Sequence, residues 1–177
     1  MRRDRFYYDS SNGGLTISGG EPCAQWKFTA ALLDKAEQEN IHAAIETSGM
    51  TTPEILDRLA RKCKLWLFDI KASPAKYLEL TGADYRIVLE NLKCLSMRGS
   101  RIILRVPLVM GMNCEAALLD ELKKLARLPG VEKVDLLPYH NMGKGKATCC
   151  GKPEPDWDAF STPSNELLEN WRAEIAL

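Results

Sequence analysis

A regular alternation of short apolar segments with longer amphipathic segments is the feature that most constrains the fold of this chain. The apolar segments predict five strands, and the segments between them have the apolar spacing of helices. The predicted strands cover residues 14–19, 41–47, 64–71, 101–109 and 131–140. Strands that alternate with helices form parallel sheets with right-handed crossovers, so the sequence predicts an α/β fold.

For two of the predicted elements, the sequence also indicates which faces are buried. The segment 64–71 is almost continuously apolar, which is typical of a strand covered on both faces. In the helix predicted over 25–40, Phe28, Ala31, Leu32 and Ala36 lie near helical spacing and are expected to form the apolar face. Further helices are predicted over 52–63, 83–99, 114–130 and 164–176.

A length of 177 residues favours a single domain. We expect residues 1–14 to form an N-terminal segment, residues 15–140 the β/α core and residues 141–177 a C-terminal extension. The sequence contains no low-complexity segment and no short repeat that would indicate a different organisation.

Charge and hydropathy argue against several classes of protein. The 24 basic and 24 acidic residues give a net charge of zero, which provides no electrostatic reason to expect nucleic acid or an anionic membrane as a partner. No apolar run approaches the roughly 18 residues of a membrane span, and the first residues lack the apolar core of a signal peptide. The sequence therefore predicts a cytoplasmic protein.

Six cysteines are spread along the chain without the spacing of a metal site. Only Cys149 and Cys150 are adjacent, and no C-x-x-C or similar metal knuckle occurs. In a cytoplasmic protein such cysteines are expected to be reduced thiols, several of them in the core. We therefore expect these cysteines to bind no metal.

Polar or ionisable residues stand at the end of every predicted strand. In parallel α/β folds, ligands bind beyond the carboxyl ends of the strands. Any one of these residues fits an ordinary solvated strand end, but their occurrence at all five strands favours a binding site. The residues are Ser18, Gly19, Gly20 and Glu21 at the first strand, Glu46, Thr47 and Ser48 at the second, Asp69 and Lys71 at the third, Arg105 and Asn113 at the fourth, and Tyr139 and His140 at the fifth.

The segment "TISGGEP", residues 16–22, has two interpretations. Two glycines and a carboxylate at the end of a strand fit a plain strand-to-helix turn, with Pro22 at the helix start. They also fit a site where a ligand approaches the backbone more closely than a side chain would permit. The residues alone leave both interpretations open.

The charged candidates have structural alternatives of the same kind. Asp69 and Lys71, which strand alternation places on one face, fit a surface ion pair as well as a ligand site. Arg105 fits a structural ion pair as well as a ligand contact, and His140 fits a strand-end histidine bonded to the backbone.

Five ordered blocks of the sequence resemble the activating enzymes of glycyl radical enzymes, a family that includes the pyruvate formate-lyase activating enzyme. The blocks are "GGLTISGGEP", "AAIETSG", "LWLFDIK", "NLKCLSMRGSRIILRVPLVMGMN" and "LLPYHNMGKGK". These relatives are radical S-adenosylmethionine (radical-SAM) proteins. The resemblance implies an incomplete parallel (β/α) barrel of the radical-SAM type, with about five parallel strands, outer helices and an open N-terminal edge.

The resemblance implies that S-adenosylmethionine binds across the strand ends. Gly19, Gly20 and Glu21 match the family segment that accepts hydrogen bonds from the methionine ammonium, through backbone carbonyls and the carboxylate. Lys71 matches the lysine that pairs with the ligand carboxylate. Asp69 would help to hold a monovalent cation or polar ligand atoms.

Four further residues match the family pattern. Glu46 and Thr47 match a pair that is usually Asp-Thr, and the Glu46 side chain is one methylene longer. By the same resemblance, Arg105 would face the ligand or the peptide substrate. His140 matches a histidine placed near the ribose or the sulfonium.

The chain departs from the family at the iron–sulfur cluster. The family holds a four-iron, four-sulfur cluster on a C-x-x-x-C-x-x-C loop ahead of the Gly-Gly-Glu-Pro segment, and these 177 residues contain no such motif. The cluster belongs to the intact family protein and is not expected in this chain. We therefore expect a fragment that retains much of the S-adenosylmethionine site and is inactive alone.

The function that the resemblance implies is the generation of a glycyl radical on a pyruvate formate-lyase-type enzyme by reductive cleavage of S-adenosylmethionine. The intact protein would be an oxidoreductase whose partner is that glycyl radical enzyme. Two alternatives stay open, namely a fragment of another radical-SAM enzyme and a non-catalytic, truncated binding module.

The resemblance implies that a further barrel strand pairs with the outer side of the first predicted strand. We expect that partner to be missing in this chain, and an open edge is a template for unwanted pairing. We expect it to be covered either by the aromatic segment Phe6, Tyr7 and Tyr8 or by a second copy of the chain. The sequence therefore predicts association, most simply as a homodimer.

Overall fold

The computed structural model describes residues 2–140, 151 and 160–176, and in it the five predicted strands form one sheet. All neighbouring strands are parallel, and their order in the sheet is their order in the chain. The strands are β1 (Gly14–Ile17), β2 (His42–Thr47), β3 (Leu65–Asp69), β4 (Arg101–Leu108) and β5 (Val131–Pro138). Because β1 and β5 do not pair with each other, these strands form an open partial barrel, which confirms the predicted fold class.

Helices connect the strands and follow the last one. They are α1 (Arg5–Ser11), α2 (Trp26–Gln38), α3 (Pro53–Ala60), α4 (Tyr77–Thr81), α5 (Tyr85–Met97), α6 (Ala116–Ala126) and α7 (Asn165–Ile175). All five predicted helices are confirmed to within a few residues at their ends, and the short helices α1 and α4 are additional. In the described ranges, every helix is too short or too polar to cross a membrane.

The sheet is covered by helices on one face and open on the other. In β3, Trp66 and Phe68 are fully buried, whereas Leu65 and Leu67 on the opposite face are only partly buried. Strand β4 shows the same alternation. The expectation that β3 is covered on both faces is therefore wrong for the described residues, because the crossover helices lie on one side of the sheet. The other side is where a ligand can reach the strands.

The buried face of α2 matches the predicted one at Ala36, which is fully buried, and at Leu32, which packs against the core, but differs elsewhere. Thr29 and Leu33 are buried, while Phe28 is 62% exposed and Ala31 is also exposed. The reason is a 3₁₀ turn ahead of α2, Pro22–Gln25, whose Pro22 carbonyl accepts a 2.8 Å hydrogen bond from the Thr29 hydroxyl. This bond turns Thr29 inward and so directs Phe28 toward solvent.

The outer edge of β1 is unpaired in the described part of the chain, since β1 pairs only with β2. Phe6 and Tyr7 are 76% and 68% exposed, so the expectation that the aromatic segment covers the edge is wrong for these two residues. They lie on a helix that ends at Asn12 in a left-handed conformation and that buries none of its residues. Tyr8 instead lines a cavity of about 830 Å³ at the amino ends of β1 and β2.

The cysteines whose surroundings are described are free thiols. Cys23 and Cys63 are buried, and Cys94 and Cys114 are partly buried, which confirms the expectation that several cysteines lie in the core. The adjacent pair at 149–150 lies outside the described residues, as does most of the segment between β5 and α7.

Candidate functional site

The carboxyl ends of β2, β3 and β4 bring four of the predicted charged residues together on the open face. The strand register pairs Asp69 with Arg105, and Glu46 lies on the same face of β2. Arg105 forms an ion pair with Glu46 across β3, and Lys71 Nζ lies 3.2 Å from a carboxylate oxygen of Asp69. The cluster therefore contains two acids and two bases.

The other three side chains of the cluster all act on the pKa of Asp69. Burial raises the pKa of Asp69 above its usual value, and the Glu46 carboxylate adds to the rise. The Lys71 and Arg105 cations lower the pKa but do not cancel the rise. Asp69 is thus a partly buried carboxylate beside two cations, Lys71 and Arg105. A polar ligand atom can take the place of one of these cations as its partner.

The Glu21 carboxylate binds donors of the protein. Its Oε1 accepts hydrogen bonds from the Thr47 hydroxyl at 2.7 Å and from the Cys23 amide at 3.1 Å. Its Oε2 accepts hydrogen bonds from the Ser48 amide at 2.9 Å and from the Ser48 hydroxyl at 2.6 Å. Burial acts to raise the pKa of Glu21, but these hydrogen bonds together hold it below its usual value. The carboxylate thus joins the turn after β1 to the end of β2.

Gly19 and Gly20 form the exposed tip of the same turn. Gly19 has a φ of +115°, a backbone angle that L-residues with a side chain rarely adopt. A Cβ placed at either glycine would meet no atom of the other described residues within 4 Å, the adjacent residues aside. Among the described residues, no donor hydrogen-bonds to the carbonyl of either glycine. The hydrogen-bonding capacity of these two exposed glycine carbonyls is therefore unused by the described residues.

Thr47 and Glu46 point to opposite faces of the sheet, as adjacent strand residues do. Thr47 is buried, and its hydroxyl donates to Glu21 and accepts a 3.0 Å hydrogen bond from the Gly49 amide. Thr47 therefore supports the turn from the covered side of the sheet, while Glu46 stands on the open side.

A cavity of about 340 Å³ lies at the carboxyl edge, between the loops that follow β2 and β3. Ser48 and Lys71 both line it, together with Tyr77 of α4. A smaller cavity of about 130 Å³ also borders Lys71 and reaches Asn113. Because Ser48 binds Glu21 directly, the glycine turn and Lys71 belong to the same side of the molecule.

His140 follows β5 and is exposed. The backbone beside it is held by a 2.9 Å hydrogen bond from the Tyr139 amide to the Leu108 carbonyl. Within residues 2–140, 151 and 160–176, no hydrogen bond or ion pair joins His140 to the other candidates. His140 thus shares the carboxyl edge of the sheet without belonging to the charged cluster.

Asn113 is buried, and its side-chain amide bridges the ends of β3 and β4. Nδ2 donates to the carbonyls of Lys71 at 2.8 Å and Pro107 at 2.6 Å, while Oδ1 accepts a 2.8 Å hydrogen bond from the Val109 amide. Asn113 thereby fixes the backbone from which the Lys71 side chain extends. The sequence places Asn113 after the fourth strand, but it carries no signal that this residue bonds to the third.

The described residues do not fit a four-iron, four-sulfur cluster. In that part of the chain, no group of three or more His, Cys, Asp or Glu side chains is arranged to hold a metal ion. Burial raises the pKa of Cys23 to about 12 and that of Cys63 to about 11, so both are neutral thiols rather than ligating thiolates. Two open carbonyls on the same side as a lysine ammonium do fit the amino-acid group of S-adenosylmethionine.

The class of protein follows from a comparison with known families. Residues 7–128 match the family model of the Radical SAM superfamily, which is more than half of the chain. The chain therefore belongs to the radical SAM superfamily.

Individual relatives show which members of the superfamily the chain resembles. The chain is 36% identical to the trans-4-hydroxy-L-proline dehydratase activating enzyme of Clostridioides difficile, over 96% of this chain and 57% of the relative. It is 35% identical to the choline trimethylamine-lyase activating enzyme of Oleidesulfovibrio alaskensis, over 82% of this chain and 49% of the relative. This chain spans about half the length of the curated relatives it matches. These similarities confirm the resemblance to activating enzymes.

A solved structure has the same architecture. A domain of the pyruvate-formate lyase-activating enzyme from Bacteroides vulgatus ATCC 8482 superposes with a TM-score of 0.75 at 25% sequence identity. The superposition covers 92% of this chain and 92% of that domain. The partial barrel seen here is therefore shared with a domain of similar size.

Proposed function

We propose that this chain binds S-adenosylmethionine at the carboxyl edge of its sheet, as part of an activating enzyme for a glycyl radical enzyme. The observation that carries the proposal is that the carbonyls of two exposed glycines, Gly19 and Gly20, accept no hydrogen bond from the described residues and belong to the same side of the molecule as Lys71. Membership of the radical SAM superfamily and likeness to proteins named as activating enzymes support it.

In this proposal, the ammonium and the carboxylate of the ligand's amino-acid group each bind a protein group of complementary charge or polarity. The ligand ammonium donates hydrogen bonds to the carbonyls of Gly19 and Gly20, and the ligand carboxylate pairs with Lys71. Lys71 then exchanges its contact with Asp69 for the ligand. Asp69 is left to accept hydrogen bonds from polar ligand atoms or to hold a monovalent cation.

The remaining candidates surround this point. Glu46 and Arg105 stand on the open face, where Arg105 faces the ligand or a peptide substrate. Thr47 supports the glycine turn through Glu21. His140, exposed at the end of β5, lies near the ribose or the sulfonium in this proposal.

The finer activity that we propose is generation of a glycyl radical by reductive cleavage of S-adenosylmethionine, for which a four-iron, four-sulfur cluster supplies the electron. Because the described residues offer no ligand set for that cluster, we propose that these 177 residues alone bind the ligand without cleaving it. The proposed partner is a glycyl radical enzyme. Likeness to the Bacteroides vulgatus domain supports a pyruvate formate-lyase-like target, whereas the two curated relatives are named for other enzymes.

Isothermal titration calorimetry of the chain with S-adenosylmethionine tests the proposal. The informative variant is Lys71→Ala, and the matched control is Lys64→Ala, an exposed lysine at the amino end of the same strand. We expect weak binding by the wild type and an affinity about tenfold or more lower for Lys71→Ala, since a charge-assisted hydrogen bond contributes about 1.5 to 3 kcal/mol. The control should bind like the wild type. No binding by the wild type, or equal binding by Lys71→Ala, would contradict the proposal.

A further inference from the structure

The Glu21 carboxylate has no free acceptor site in the described structure. An ionised carboxylate offers about four lone-pair sites. Four donors occupy them, namely the Cys23 amide, the Thr47 hydroxyl, the Ser48 amide and the Ser48 hydroxyl. An ammonium group can therefore reach this carboxylate only by displacing a donor that already binds it.

Glu21 supplies the side-chain hydrogen bonds that link the glycine tip to the end of β2. Strand β1 ends at Ile17, and Gly19 and Gly20 are too exposed to be held by packing. Beyond the tip, the Glu21 side chain supplies the hydrogen bonds that tie the turn to the end of β2. The turn is thus held at one end by pairing of β1. At the other end it is held by the Glu21 side chain together with the buried residues Pro22 and Cys23 and the bond from the Thr29 hydroxyl to the Pro22 carbonyl.

Ser48 is the strongest single partner of Glu21. It supplies two of the four donors, and both bind the same oxygen, Oε2. Ser48 also lines the cavity that Lys71 borders, so the carboxylate is anchored at the wall of the candidate ligand site. Loss of the Ser48 hydroxyl would leave Oε2 with one donor and a cavity beside it.

We infer that Glu21 is a positioning residue, whose bonds to Ser48 and Thr47 aim the carbonyls of Gly19 and Gly20 at a ligand ammonium. The identity of that ligand rests on the proposed function, which is binding of S-adenosylmethionine. This role differs from the expectation that the Glu21 carboxylate itself receives the ammonium. In this arrangement Ser48 determines ligand affinity through Glu21, without contacting the ammonium.

An NMR titration of the Glu21 side-chain carboxyl in the ligand-free chain tests the anchoring. Ser48→Ala removes the hydroxyl donor, Ser48→Thr keeps one, and Ser10→Ala on α1 is the matched control. We expect the Glu21 pKa to rise in Ser48→Ala and to stay at the wild-type value in the other two variants. We also expect the amides of Gly19 and Gly20 to gain nanosecond mobility in Ser48→Ala alone. An unchanged pKa with unchanged mobility in Ser48→Ala would overturn the inference.

Calorimetry with two ligands then separates positioning from direct contact. S-adenosylmethionine carries the amino-acid group, and 5′-methylthioadenosine lacks it. We expect Ser48→Ala to weaken S-adenosylmethionine binding by a factor of about ten, because the anchor loses one hydrogen bond. Glu21→Gln should weaken it by at least as much, because the amide nitrogen replaces an oxygen that accepts two hydrogen bonds. The double variant should lose no more than Glu21→Gln alone. Binding of 5′-methylthioadenosine should change less than about twofold, and Ser48→Thr should restore the affinity for S-adenosylmethionine.

Two results would overturn distinct parts of this picture. If Glu21→Gln lost affinity while Ser48→Ala bound S-adenosylmethionine like the wild type, Glu21 would contact the ammonium directly and the positioning role would be wrong. If the wild type bound no S-adenosylmethionine, the proposed function would fail, and the carboxyl titration alone would decide whether Glu21 anchors the turn.

Discussion

Arg105 and Glu46 form an ion pair that spans β3, although their strands are not neighbours in the sheet. Their side chains are 26% and 28% exposed, so water screens the pair only in part. Asp69 ends the strand between them and lies in register with Arg105. Glu46 and Arg105 therefore lie beside Asp69 and Lys71 at the end of β3.

Replacing Arg105 by Gln should raise the Asp69 pKa further, because one of the two cations that lower it is lost. We expect the free energy of unfolding at neutral pH to fall by about 1 to 2 kcal/mol, since Glu46 loses its partner in a half-buried site. Glu46→Gln removes a neighbouring acid and should lower the Asp69 pKa. Carboxyl NMR and urea unfolding measure both effects. Shifts in the same direction for the two variants would refute a single network.

Glu21 should make stability depend on pH. Its pKa in the folded state lies below the ordinary value of 4.5, so the bonded carboxylate stabilises the fold above that pH and the contribution is lost as pH falls through the folded pKa. We expect Glu21→Gln to reduce the free energy of unfolding near neutral pH by about 1 to 2 kcal/mol. The loss should shrink in acid, once the wild-type carboxyl is protonated in both states. Urea unfolding across this range measures it, and an equal loss at every pH would exclude a role for the charge.

Asn113→Ala should be strongly destabilising. The substitution leaves the carbonyls of Lys71 and Pro107 and the amide of Val109 without their partner in a buried place, and we expect a loss of about 2 to 4 kcal/mol. Asn170→Ala, at an exposed position of α7, is the matched control and should stay near the wild type. Thermal unfolding compares the two. A neutral Asn113→Ala variant would show that the ends of β3 and β4 hold without this amide.

Because no other described strand pairs with the outer edge of β1, we expect a homodimer at high protein concentration. Light scattering coupled to size exclusion measures the mass across a concentration series. Replacing both Phe6 and Tyr7 by Ser removes exposed apolar surface from the neighbouring α1 and should weaken association. The control variant Met97→Ser changes an 81% exposed residue at the end of α5 and should leave association unchanged. A monodisperse monomer at the highest concentration would refute this prediction.

The strands and the strand-end charges could be predicted from the sequence because both follow from residue period and chain order. Asp69 and Lys71 lie two residues apart, so strand geometry alone places them on one face. Thr47 follows Glu46 directly, and the same rule could have placed its side chain on the opposite face. The apolar run of β3 was misleading, because it does not reveal that helices cover only one side of the sheet.

The remaining features depend on contacts between distant residues. The hydrogen bond from Thr29 to the Pro22 carbonyl determines which face of α2 is buried. The apolar spacing of the helix gives no indication of this bond. The bond between Ser48 and Glu21 joins residues 27 positions apart, and a serine after a strand carries no sign of such a partner. Only the folded chain brings these groups together.

An amide NMR titration of the ¹⁵N-labelled chain with S-adenosylmethionine tests most directly whether the ligand binds at the carboxyl edge of the sheet. We predict shifts at Gly20, Ser48 and Lys71, at the carboxyl edge of the sheet, that saturate together with one dissociation constant. Amides at the opposite edge, such as His42, should stay unchanged. Shifts confined to the cavity near Tyr8 and His42, or no shifts at any concentration, would contradict the proposed site.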